Sequence, residues 1–238
     1  MAIYGYHERP DMLRFEAAVL DSQPGRLVLD RSFLHPGGGG QVSDQAAIVS
    51  SDGEARIVDV VQEAGRYWHV LDRPVILSGS AAIEIDAEHR SRVAQLHTIT
   101  HILNALVFDR FGGALVTGAQ IYSDGTARMD FDLPDADNDE LRKLEPQINA
   151  VIQAGLDVRA SYVSHSEALR TPGLIRSLSV APPPTPDGRI RIIEIVGVDR
   201  QACGGTHLNN TAEAAAVRIT KVENKGRRNR RVKLSLPS

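Results

Sequence analysis

The side chains best equipped for chemistry are Cys203 and His207, set apart by Gly204-Gly205-Thr206, and His97 and His101, set apart by Thr98-Ile99-Thr100. Cys203 is the single cysteine of the chain. A thiolate and an imidazole on one glycine-softened loop form half of a metal site. Two histidines at i and i+4 of a helix share a face and can form the other half. Neutral imidazoles with one thiolate are a donor set that suits zinc. Position 98, where an H-E-x-x-H protease carries its general-base glutamate, is threonine. Such a site is better matched to an activated acyl substrate, such as an ester, than to an amide. Four protein ligands close a structural site and three leave a position for water or substrate, so both readings stand at this point.

These four residues need a helix and a strand to place them. Asp86 can cap a helix from about Ala87 to Phe111, ended by Gly112-Gly113. Its apolar residues, Val93, Leu96, Ile99, Ile102, Leu103, Leu106 and Val107, fall nearly all round, the pattern of a buried helix. His97 and His101 therefore point into the protein or a cleft, where an unpartnered polar ring is costly. The strand Arg189 to Val196 delivers the chain to the Cys203 loop.

Ahead of the helix the pattern is short and alternating. Candidate strands are Leu13 to Leu20, Arg26 to Asp30, Gln45 to Ser50, Ala55 to Val61, Tyr67 to Leu71 and Ala82 to Ile85. Short strands with no long helix among them predict a small closed barrel. The period changes near Asp86, which predicts an N-terminal β-barrel domain over 1–87 and a second domain over 88–238. The second domain begins with the helix and a hairpin, Ala114 to Tyr122 and Thr126 to Asp132. A helical segment from about Asp139 to Ala154 follows, its second half started or kinked by Pro146. A strand from Asp157 to Val163, a short helix from Ser166 to Leu169, and a stiff surface turn from Pro182 to Gly188 come next. Two closing strands, Ala214 to Lys221 and Arg230 to Leu236, complete it. Without strict βαβ alternation the class is α+β.

Composition bounds the rest. With 42% hydrophobic and 24% charged residues and a formal net charge of −3, the chain reads as globular and not as a uniformly basic coat protein. One cysteine cannot form an intramolecular disulfide, and no run approaches the roughly 18 apolar residues of a membrane helix. The polar start, Met1 to Asp11, has no apolar signal core, so the expected location is the cytoplasm. The loop His35-Pro36-Gly37-Gly38-Gly39-Gly40-Gln41 keeps four consecutive glycines, which calls for φ > 0 or close backbone approach. Between Lys221 and Lys233, seven basic residues stand against Glu223 alone, a local +6 that leaves −9 for the remainder. Such segregation is a footprint for phosphates and predicts a nucleic-acid partner through Lys225, Arg227, Arg228, Arg230 and Arg231.

His97-Thr98-Ile99-Thr100-His101, Cys203-Gly204-Gly205-Thr206-His207, the Gly-Gly-Gly-Gln run ending at Gln41 and Val222-Glu223-Asn224-Lys225-Gly226 occur in the order seen in the editing region of alanyl-tRNA synthetases. Over nearly its full length the chain resembles the AlaX family, free-standing relatives of that region, in the medium-length form that acts in trans. The resemblance implies a two-layer α/β editing domain of the threonyl/alanyl-tRNA synthetase type behind a glycine-motif barrel. It implies zinc-dependent hydrolysis of tRNA(Ala) mischarged with serine, and also with glycine. Metal-ligand and catalytic roles carry over to His97, His101, Cys203 and His207. A contact to the substrate serine hydroxyl carries over to Thr117, and approach to the editing pocket to Gln41 with Gly38, Gly39 and Gly40. Val42 departs from the family, which commonly has proline there. A deacylase for another mischarged tRNA such as Ser-tRNA(Thr), and a non-catalytic zinc-stabilised RNA-binding module, are the competing readings.

Overall fold

The computed structural model describes residues 5–134, 136–178, 184–185 and 187–237. Pro182, Pro183 and Pro186 of the expected proline-rich turn lie outside the described residues. The chain forms two compact units, one of Met1–Gly38 and Val42–Ser91, the other of Gly39–Gln41 and Arg92–Ser238.

The first unit opens with a single helical turn, α1 (Gly5–Glu8), for which the sequence carries no periodic signal. Six strands follow: β1 (Arg14–Gln23), β2 (Arg26–Leu29), β3 (Ala46–Ser50), β4 (Gly53–Glu63), β5 (Arg66–Leu71) and β6 (Ser80–Ile85). They close as an antiparallel barrel in the order β1-β2-β5-β4-β3-β6, so that no strand edge is left open. Strict alternation drives the closure. Along β6, Ala81, Ile83 and Ile85 face inward while Ser80, Ala82 and Glu84 face out. The inward residues join Leu27, Leu29, Ile48, Ile57 and Leu77, all essentially without solvent exposure. Each such side chain contributes about 1.5–3 kcal/mol on burial. The expected small barrel is present.

Helix α2 (Ala87–Arg110) begins as expected, with the Asp86 carboxylate accepting the His89 N–H at 2.9 Å. From Leu96 to Ala105 every residue is buried. Its apolar residues fall on every side and its polar ones, His97, Thr98, Thr100, His101 and Asn104, are buried among them, so this stretch runs through the interior of the second unit.

The rest of that unit supplies two antiparallel sheets. Strands β7 (Val116–Ile121) and β8 (Thr126–Asp132) form a hairpin, followed by α3 (Asn138–Arg142) and α4 (Glu145–Gln153), with Pro146 at the start of α4. Then come β9 (Val158–Ser164), α5 (His165–Arg170), β10 (Arg189–Ile195), β11 (Asp199–Ala202), β12 (Arg218–Lys225) and β13 (Asn229–Ser235). One sheet has the order β11-β10-β9, the other β12-β13-β8-β7. Strand β11 is too short and polar to be read from the sequence. It is held by pairing with β10 from Ile192↔Ala202 to Ile195↔Asp199. Barrel plus mixed helices and antiparallel sheets make the class α+β.

Candidate metal centre

Strand β10 is buried along most of its length, and β11 returns beside it to place Cys203 at its end. The loop that follows is fastened by the buried Arg191, whose Nη1 donates to the carbonyls of Cys203 at 3.2 Å and Gly205 at 2.8 Å. A Cβ at position 205 would lie 2.1 Å from His97 Cε1 and 2.5 Å from Gln41 Oε1, so only glycine lets the loop approach the helix this closely.

That approach brings His97, His101, Cys203 and His207 together, each offering one ligand atom within 4.8 Å of the others. Cys203 Sγ is 3.4 Å from His97 Nε2 and 3.3 Å from His207 Nε2. The ring centroids of His97 and His207 are 4.3 Å apart, and those of His101 and His207 4.6 Å. The group is buried except at His207, which is half-buried.

Each histidine is anchored through the nitrogen that points away from this group. His97 Nδ1 donates to Gln41 Oε1 at 2.7 Å, a carbonyl that can only accept, so Nε2 is the ring nitrogen that faces Cys203. His101 Nδ1 faces Asp199 Oδ2 at 3.0 Å, and His207 Nδ1 faces Thr98 Oγ1 at 3.2 Å. The Asp199 carboxylate also accepts from Gln201 Nε2 at 2.7 Å and lies 3.1 Å from Arg176 Nη1. This is the arrangement in which outer partners fix the tautomer and orientation of metal-ligating imidazoles.

The charges inside the group are strongly coupled. Burial alone would push the Cys203 thiol up, but the neighbouring His97, His207 and His101 hold it well below the ordinary range, as a thiolate. Burial pulls His101 down, and the Cys203 charge with the Asp199 hydrogen bond more than reverses this, raising it to about 9. Burial and the charge of His97 keep His207 well below its ordinary value. A buried thiolate among imidazoles can hold a metal ion.

The glycine run meets the centre through Gln41. Gly37, Gly38, Gly39 and Gly40 all have positive φ, the conformation that four consecutive glycines predict. Gly40 accepts the Ile121 N–H at 2.7 Å, and a Cβ there would lie 2.7 Å from the Ala119 carbonyl. Gly38 and Gly39 have no heavy atom within 4 Å of an added Cβ. Gln41 is buried, and its Oε1 accepts from Thr206 N at 3.0 Å as well as from His97, while its Nε2 donates to Thr206 Oγ1 at 2.9 Å.

Thr117 is the extra residue of a β-bulge, since Val116 pairs with Phe131 and Gly118 with Asp130. Bulges re-aim a side chain out of the ladder. Its hydroxyl donates to Asn229 Oδ1 at 3.3 Å.

The basic hairpin is less free than its composition suggests. Arg228 makes a two-pronged pair with Asp132, and Arg231 makes one with Asp130. Arg230 is buried and donates to the Pro134 and Ala136 carbonyls. Lys225 and Arg227 are exposed.

Sequence reasoning missed Asp199, Thr98, Arg191 and Gly205 as parts of this centre. Asp199 precedes Cys203 by four residues, but nothing in that spacing shows that β11 lies against α2. Gly205 was visible only as part of a soft loop.

Residues 190–233, from β10 into β13, match the family described as threonyl and alanyl tRNA synthetase second additional domain. That match covers the strand-end loop with Cys203 and His207 and the basic hairpin. The chain is 35% identical to the alanyl-tRNA editing protein AlaX-M of Saccharolobus solfataricus over 92% of each chain. It is 36% identical to that of Methanosarcina barkeri, over 94% of this chain and 95% of the relative. It is also 34% identical to the alanine–tRNA ligase of Ignicoccus hospitalis, over 90% of this chain but 24% of the ligase. The chain belongs to the AlaX-M family.

Proposed function

We propose that this protein is a zinc-dependent hydrolase that deacylates mischarged tRNA(Ala) in trans, chiefly Ser-tRNA(Ala) and also Gly-tRNA(Ala). In this reading residues 1–87 are a glycine-motif barrel domain and 88–238 the editing domain, working in the cytoplasm. The observation that carries it is the set of four inward-facing donors with every imidazole anchored from behind, in a chain of this family.

The donor set fits zinc. A tetrahedral shell of three nitrogens and one sulfur, with zinc–nitrogen near 2.0–2.1 Å and zinc–sulfur near 2.3 Å, sets neighbouring ligand atoms about 3.3–3.6 Å apart. The observed sulfur–nitrogen separations of 3.4 and 3.3 Å lie inside that span. His97, His101, Cys203 and His207 would hold the ion, which when bound supplies Lewis-acid polarisation of an ester carbonyl.

The chain's own residues do the remaining work. Gln41 and Asp199 hold the rings of His97 and His101 in one tautomer. Thr98 occupies the place of a protease base, which suits an aminoacyl ester, whose alcohol leaves more easily than an amine. The Thr117 hydroxyl spends its proton on Asn229 and keeps its lone pairs, so it can accept from a serine hydroxyl. Alanine offers no donor to those lone pairs, so the contact is made with serine alone, the basis for sparing correctly charged tRNA.

The convergence of four protein donors also favours a second reading, a closed structural site in an RNA-binding module. One experiment separates these. Deacylation of Ser-tRNA(Ala), Gly-tRNA(Ala), Ala-tRNA(Ala) and Ser-tRNA(Thr) is followed with zinc-loaded wild type and Cys203→Ala. We expect hydrolysis of the first two, sparing of the third, and loss of at least about 100-fold in the variant with the fold retained by circular dichroism. Preference for Ser-tRNA(Thr) would reassign the substrate. Absence of hydrolysis, with unfolding on metal removal, would establish the structural reading.

A further inference from the structure

The β12–β13 hairpin carries most of the local basic charge, and its ion pairs divide that charge into two kinds. Glu223 takes up Lys221 at 2.8 Å and Lys233 at 3.2 Å. Asp132 takes up Arg228, with Nε–Oδ1 at 3.0 Å and Nη2–Oδ2 at 2.7 Å. Asp130 takes up Arg231 through two contacts of 2.7 Å, and Arg128 approaches the same carboxylate at 2.9 Å. Arg230 is buried against backbone carbonyls and serves the turn at Pro134 and Ala136. What remains are Lys225 and Arg227, flanking Gly226 at the tip, exposed and with side chains in no ion pair or hydrogen bond among the described residues.

The nearest acidic element does not cancel them. Helix α3 packs along β12 and meets the hairpin through Asn138 Nδ2 and Asn224 Oδ1 at 3.0 Å. Its Asp139 pairs with Arg142, and its Glu140 with Arg110 and Lys143. At the other side of the tip, Asn229 receives the Thr117 hydroxyl, so Arg227 and Lys225 sit two and four residues from the partner of the group proposed to meet the aminoacyl moiety.

We propose that Lys225 and Arg227 are the phosphate contacts of this hairpin, and that Arg228, Arg230 and Arg231 are structural cations that add little to RNA affinity. The inference rests on the tRNA reading above and deepens it. A guanidinium already satisfied by a two-pronged carboxylate releases no net counterion when RNA arrives, whereas an unpaired one does. Position in sequence is then a poor guide: Arg227 and Arg228 are neighbours with opposite roles.

The test is equilibrium binding of unacylated tRNA(Ala) over a salt series. Lys225→Ala with Arg227→Ala should weaken binding about tenfold at 0.1 M salt and make the negative slope of log K against log salt shallower by about 1.4–1.8. Removing the pair together, Arg228→Gln with Asp132→Asn, should stay within about twofold, with the slope unchanged. Asp132→Asn alone, which frees Arg228, should tighten binding and steepen the slope by about one. Equal losses from the Arg228→Gln/Asp132→Asn pair and from the Lys225→Ala/Arg227→Ala pair, or a Lys225→Ala/Arg227→Ala protein indistinguishable from wild type that still binds and deacylates, would overturn this assignment alone. Wild type that neither binds tRNA(Ala) nor deacylates it would overturn the functional reading together with this one.

Discussion

Both units bury a histidine, and the two are driven in opposite directions. His69 of the barrel is fully buried with Ser32 Oγ at 3.0 Å from its Nε2, and burial drives it down to about 4. His101 of the second unit is as deeply placed, yet the Cys203 charge and Asp199 overcome burial and raise it to about 9. A buried imidazole whose polar neighbours are a hydroxyl and the Leu27 backbone, neither of them charged, stays neutral and acts as packing. One facing a thiolate and a carboxylate stays available for charge or metal. The barrel does bury charge, but as a matched pair: Arg90 Nε and Nη2 meet Asp44 at 2.8 and 2.5 Å, and the same carboxylate accepts the His35 N–H. The second unit gathers its donors around a common point instead.

The largest effect should come from unmatching the barrel pair. Asp44→Asn leaves the Arg90 guanidinium buried without its counter-charge and should cost about 3–5 kcal/mol. Trp68, the only tryptophan and a barrel residue, reports this directly in urea denaturation followed by fluorescence. A change below about 1 kcal/mol would show that water reaches the pair.

Next is the barrel histidine. Its folded pKa lies below the unfolded value, so the unfolded chain binds the extra proton first and stability falls as pH drops from about 6.5 towards 4. The loss at the acid end is about 3 kcal/mol, and His69→Gln should remove that wing of the profile while leaving stability near pH 7.5 little affected by titration. His101 has the reverse sign in the metal-free protein. Its contribution is full below about 6.5 and is lost as pH rises through about 9. Trp68 fluorescence should therefore follow the acid wing and not the alkaline one.

The smallest effect tests whether Asp199 makes the difference between the two rings. Asp199→Asn should lower the His101 titration towards that of His69 in proton NMR of the metal-free protein. It should also weaken zinc binding roughly 10–100-fold by competition with a chelator dye. An unmoved titration would assign the upward shift to Cys203 alone.

Much of this was legible in the residues. The alternating strands predicted the barrel, and the apolar residues on every side of α2 predicted a buried helix, because periodicity reports burial directly. The His97/His101 and Cys203/His207 pairs were legible as a candidate donor set because metal-binding side chains are few in type and regular in spacing. The basic run was legible only as composition. Its division into paired and unpaired charges depends on Asp130 and Asp132, which lie about a hundred residues earlier and meet it through β8–β13 pairing.

Sequence by itself therefore determined the ligand types, the helix that carries two of them and the barrel. Tertiary structure alone decided that Gln41 backs His97, that Asp199 backs His101, and that Gly205 must lack a side chain. The physical reason is range. Periodicity and capping act within a few residues, whereas a ring's tautomer and charge depend on atoms within about 3 Å that long-range packing brings there.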